Sequence, residues 1–225
     1  MNHPQIAAFA RLAKENTLPT RSIAGQKTLI SRTMHGFGYD PIHDEIVVTS
    51  PLTQAILVFR GGANGEEAPI RVIQGPHTQI LGTGYDGHPT VQIDSAHGEI
   101  YLPNYTGRYR GLGGDESSVL VFAWDANGDV PPKRVLKGIG AVAIDPVHDL
   151  LISKVGGGIS IFERAAVANG NMTPKAVIKG PKSGIGGGGL QVTPAGWIIT
   201  GAADDTRSTN NGLTNSIGVW KITDN

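Results

Sequence analysis

The sequence predicts an all-β protein assembled from tandem four-stranded antiparallel sheets. Three observations lead to that class. Short apolar runs recur along all 225 residues and are bounded by Gly, Pro, Asn and Asp, as strands are. A unit of apolar strand, aromatic residue, Asn-containing turn, Pro and basic-apolar strand returns several times and closes at Gly25, Gly75, Gly138 and Gly180. Finally, "DPIHDEIVVTS" at 40–50 is echoed by "DSAHGEIYLPN" at 94–104 and "DPVHDLLISKV" at 145–155.

Each unit holds four candidate strands, a to d. The chain opens on a c–d pair, "IAAFARLAKENTLPTRSIAG", ending at Gly25. Strand a follows as "FGYD", "TVQID", "AVAID" and "LQVT", and strand b as "EIVVTS", "EIYLPN", "LLISKV" and "WIITG". The later c–d pairs are "AILVFRGGANGEEAPIRVIQG", "VLVFAWDANGDVPPKRVLKG" and "ISIFERAAVANGNMTPKAVIKG", and a last c strand is "IGVWKITDN". Asp-Pro serves as the a–b turn and Asn-Gly as the c–d turn, residue pairs that adopt turn geometry at little cost. Four antiparallel strands in about 40–60 residues make the blade of a β-propeller. The expected architecture is one propeller domain over 1–225 of about four blades. Blades 36–75, 88–138 and 140–180 are complete, and 1–25 and 188–225 are partial.

Composition narrows the classes. Nineteen basic and nineteen acidic residues cancel, which removes any electrostatic argument for nucleic acid or an anionic membrane surface. The chain has no cysteine, so disulfide frameworks and cysteine–zinc sites are excluded. No apolar run reaches the roughly 18–20 residues of a membrane span. The N-terminal "MNHPQIAAFARLAKENT" lacks the basic-then-apolar order of a signal peptide.

A ligating residue is needed once, whereas a residue repeated in every unit serves the unit. His43, His97 and His148 therefore read as locally bonded turn residues, and Arg21, Arg71 and Arg134 as inter-blade links. Phe9, Phe59, Phe122, Phe162 and Trp220 read as inter-blade core. Binding is expected in the loops that differ between units. Loop 103–118 carries Tyr105, Arg108, Tyr109 and Arg110, phenols and guanidiniums suited to a planar ligand, a sugar or a carboxylate. Asp86 and His88 join them from loop 76–88, and His35 and His77 are expected near the same channel mouth. Asn104, Asp204 and Asp205 are candidate oxygen ligands for Ca²⁺, without EF-hand spacing. "GIGGGG" at 184–189 reads as a flexible d–a crossing, because no helix and no Lys-Ser/Thr follow it as a phosphate loop requires. Neither G-x-S-x-G nor H-E-x-x-H occurs, so no catalytic residue is assigned.

"AILVFRGGANGEEAPIRVIQGPHTQI" and "VAIDPVHDLL" resemble the NHL-type propeller repeats of bacterial proteins, over nearly the whole chain. The resemblance implies the propeller fold and about six blades. Because such proteins are often exported, it also implies an extracellular or periplasmic setting. It is uninformative about activity.

The strand count then points to function. The first unit lacks a and b, the last lacks d, and joining the ends would leave one c strand in excess. An unpaired apolar edge such as "IGVWKI" is a template for another chain. The expected function is a non-enzymatic binding or structural propeller that self-associates through its terminal strands, as oligomer or filament. Its variable loops would meet protein or glycan partners. A piece of a longer natural chain is an equal reading of the same count. One alternative is a propeller enzyme resembling metal-dependent lactonases or lyases, with Asn104 and Asp86 or Asp204 around a divalent ion. Another is a glycan or small-ligand module using Tyr105 and Tyr109.

Overall fold

The computed structural model describes residues 4–31, 36–81, 91–105, 117–180, 183–202 and 216–223. β1 (Gln5–Ala8) and β2 (Arg21–Ala24) form a two-stranded sheet. The first complete blade is β3 (Phe37–Asp40), β4 (Glu45–Ser50), β5 (Ala55–Arg60) and β6 (Arg71–Gln74). The second is β7 (Gln92–Asp94), β8 (Glu99–Tyr105), β9 (Ser117–Ala123) and β10 (Arg134–Lys137). The third is β11 (Val142–Asp145), β12 (Leu150–Val155), β13 (Gly158–Glu163) and β14 (Ala176–Ile178). A last sheet holds β15 (Ile185–Val192), β16 (Trp197–Ala202) and β17 (Ser216–Lys221). Every pairing is antiparallel between chain neighbours, and the inner strands β3, β7, β11 and β15 meet in succession. The protein is thus an all-β, four-bladed propeller arrangement with incomplete end blades. Among the described residues no helix is long and apolar enough to cross a membrane.

The core lies between sheets. Alternate residues of each strand point to opposite faces, so each blade feeds two seams. Phe59 packs back on Ile23 of β2, Phe122 joins Ile56, Val58 and Ile73 of the first blade, and Phe162 joins Tyr101 and Val121 of the second. Burying each such side chain stabilises the fold by about 1.5–3 kcal/mol.

The repeated Asp–x–x–His turn has a local cause. Asp40 Oδ1 accepts the Ile42 and His43 N–H groups at 2.9 and 3.2 Å, and His43 Nδ1 lies 2.7 Å from Oδ2. Asp94–His97 and Asp145–His148 repeat the imidazole–carboxylate pair at 2.9 and 2.7 Å. The residue after each His is left-handed, and it is Asp44, Gly98 or Asp149, types that tolerate this conformation.

The c–d connections differ from expectation. Asn-Gly is not a tight hairpin turn there but a clamp on the preceding sheet. Asn64 Oδ1 accepts from Ser22 N and Asn127 Oδ1 from Val72 N, while Gly65 and Gly128 exchange backbone bonds with β2 and β6. The next acidic residue caps the short 3-10 turn after that strand: Glu66 accepts from Gln26 N, and Asp129 from His77 N. In the third blade the connection instead begins with a helical turn, α1 (Arg164–Ala168), whose Arg-Ala-Ala-Val-Ala composition favours helix. The "GIGGGG" crossing is also corrected: all of it but Gly184 lies in β15, with a register shift between Ile185 and Leu190 where glycine permits a bulge.

Candidate functional site

Asp86, His88, Arg108, Tyr109, Arg110, Asp204, Asp205 and His35 lie outside the described residues. Tyr105 ends β8, its backbone opposite Ser117. Asn104 is buried; its Oδ1 accepts from Leu81 N at 2.9 Å and its Nδ2 donates to Gln79 O at 3.1 Å. Both sides of its amide tie strand b to the d–a connection. His77 is not at a channel mouth: its ring pairs with Asp129 at 2.7 Å, beyond the outermost strand. Among the described residues, no group of three or more His, Asp or Glu is placed to hold a metal ion.

The polar chemistry that is in place concentrates at the seams, near the a–b turns. In the first seam Glu45, opposite Asp40, receives both Nη groups of Arg71 at 2.8 and 2.5 Å. The arginines of strand d were expected to link blades. Arg71 and Arg134 instead pair mainly within their own blade, because strand b supplies Glu45 and Glu99 at matching height. Arg71 alone also reaches the next blade, donating to Trp124 O at 3.0 Å with its guanidinium 5.3 Å from the indole centroid. The indole also stacks on His43, centroids 3.7 Å apart and planes 9° off parallel.

The second seam repeats the pair with other neighbours. Glu99 accepts from Arg134 at 3.0 and 2.6 Å, from Lys133 at 2.7 Å and from Tyr101 at 2.8 Å. Burial alone would raise the Glu99 carboxyl, but these donors outweigh it and hold it at about 2. Burial and the adjacent carboxylate push the Tyr101 phenol well up. Arg164 enters from the third blade, bonded to Asp149 and 3.6 Å from Asp94. Sequence reasoning missed these glutamates, although an acid two residues after the turn His in the first two units was a legible signal. It also missed Lys154 on β12, whose ammonium is pulled down to about 8 by burial.

The two ends of the array are different. Phe9, expected in the core, is 55% exposed, whereas its counterparts Phe59 and Phe122 are 0% and 1% exposed. The reason is positional: that residue packs on the preceding sheet, and among the described residues no sheet precedes β1–β2. Phe37 and Tyr39 of β3 are likewise exposed, whereas Val142 and Ile144, at the same two positions of β11, are buried. At the far end Ile217 and Val219 of β17 and Trp197 of β16 are exposed; Ile56 and Val58, equivalent to the β17 pair, are fully buried by a following blade. The chain therefore carries a bare leading face and a bare trailing face, and inner copies of those faces pack on each other.

These features define a class: a propeller-type repeat protein with ion-paired polar seams and two uncovered end faces. A solved structure shares the fold. The solved structure of U3-55K is similar to this chain with a TM-score of 0.55 at 12% identity, over 89% of this chain and 51% of that one. The chain thus spans about half the length of that structure, and the likeness is one of fold. No protein-family model matches the chain, and no curated protein matches its sequence. The NHL-type resemblance is carried by the repeat motifs alone.

Proposed function

We propose that this chain is a binding or structural propeller segment whose two bare end faces join head to tail with further copies of itself. The observation that carries the reading is repeat equivalence: Ile217 and Val219 occupy the positions of Ile56 and Val58, and Phe37 that of Val91. Those inner positions meet across the first seam. The trailing face of one copy therefore matches the leading face of another. Its missing outer strand and the partner's missing inner strands lie at the same step of the array, where β1 and β17 hold the same strand position and one of the two is displaced. Such a contact is heterologous, giving rings if the rotation closes and filaments if it does not. Apolar sheet faces left open to water are also the usual seat of association.

Two variants test this together. Phe37→Asp places a charge on the leading face, and Ile217→Glu on the trailing face; both sites are exposed, so folding is kept. Light scattering is expected to show assemblies for the parent chain and monomer for each variant alone. An equimolar mixture is expected to give a 1:1 dimer, because each variant keeps one intact face. A parent chain that stays monomeric at high concentration, or a mixture that stays monomeric, overturns the reading.

A further inference from the structure

The third seam breaks the pattern of the first two. Leu150 pairs with Asp145 as Glu45 pairs with Asp40, and Ala176 lies opposite Ile161 as Arg71 lies opposite Val58. Ile222 N donates to the turn carbonyl of Gly196 as Trp124 N does to Gly98 O. The ion pair and the indole of the first seam are thus replaced by Leu, Ala and Ile. Three smaller or unpaired side chains do not refill the space, and a cavity of about 530 Å³ lies there. That volume is in the range of small-molecule sites.

Its lining has a direction. Leu150, Ile161, Ala176 and Ile222 make an apolar floor. His148 forms one wall, its Nδ1 anchored 2.7 Å from Asp145 Oδ2. The equivalent ring, His43, is covered face-on by Trp124. Lys175 stands at the rim, exposed, with Nζ 3.2 Å from the exposed Glu163. Such a surface pair is weak and yields to a competing carboxylate. We propose that this cavity binds a planar aromatic carboxylic acid. Its ring system stacks on His148 where the indole stacks in the first seam, and its carboxylate meets the Lys175 ammonium. The inference is independent of the end faces, which lie on other strand faces.

The test is calorimetric titration of the full chain with 2-naphthoate, repeated in the assembly-blocked Ile217→Glu chain. One site per chain is expected in both. Ile222→Trp, which installs the plug of the first seam, is expected to abolish binding. Should that variant fail to fold, the pair Leu150→Glu with Ala176→Arg fills the same space with the ion pair of the other seams and is expected to do likewise. Lys175→Gln is expected to weaken 2-naphthoate about three- to tenfold, the scale of one charge-assisted contact, and to leave 2-naphthalenemethanol unchanged. No saturable 2-naphthoate site, undiminished binding in a folded plugged variant, or equal binding of acid and alcohol overturns the proposal.

Discussion

The seams and the end faces are written in the same residues and behave oppositely. Phe122 and Phe9 hold one repeat position, yet the first is enclosed by the preceding blade and the second faces water. Val58 and Val219 make the same contrast at the other end. Side-chain type therefore does not decide burial here; the neighbour does. In an array where each unit contacts only its neighbours, a terminal unit keeps the apolar pattern of its inner siblings unless a capping unit replaces it.

The contrast can be broken most severely at the aromatic position. Phe122→Ala is expected to cost about 3–5 kcal/mol in urea unfolding, and Phe9→Ala less than about 0.5 kcal/mol in the monomeric chain. Equal losses would mean that the leading face is already covered. Next comes the buried carboxylate. Glu99→Ala leaves Arg134 buried without its partner and is expected to cost about 3 kcal/mol. The same group sets an acid dependence. Its carboxyl titrates at about 2 in the fold against an ordinary 4.5, so the folded-state value is depressed. Its stabilisation is therefore complete above about pH 4.5 and disappears as pH falls toward 2, worth on the order of 3 kcal/mol. Urea midpoints taken across that range should fall steeply in the parent and less so in Glu99→Ala.

A smaller effect is expected at the clamps. Gly75 has φ 138° and any Cβ there would strike the Asp129 carboxylate, so Gly75→Ala is expected to cost about 1–3 kcal/mol. Gly180 has φ 142° but open space around it, so Gly180→Ala should be milder by the clash alone. The smallest change is expected on the surface. Arg60 and Glu67 pair in the open, and Arg60→Ala should leave the thermal midpoint unmoved within error.

Much of the fold was legible because strand periodicity, turn residues and repetition agreed on it. The repeated histidines were placed as local turn bonds for the same reason, since Asp, His and the left-handed residue all fall within one turn. What escaped were features set by a neighbouring unit. Asn127-Gly128 looks like a hairpin turn from within its blade, and its bonds go to β6 of the blade before. Glu45 and Arg71 lie far apart in sequence and meet only once β5 is between them. The cavity was invisible in principle, because it arises from volume that Ala176 and Ile222 fail to supply. The loop residues at 106–116 and 203–215, where binding was expected, lie outside the described residues, so the sequence remains their whole description.

The clamps also have a polarity. Each grips the strand that ends the sheet before it, as Gly65 grips β2 and Gly128 grips β6. During synthesis, then, a sheet leaving the ribosome is latched only when the following one has emerged and folded over it. For the first two sheets the newest part of a nascent chain is the least secured, and removing the blade that follows loosens the strand it grips.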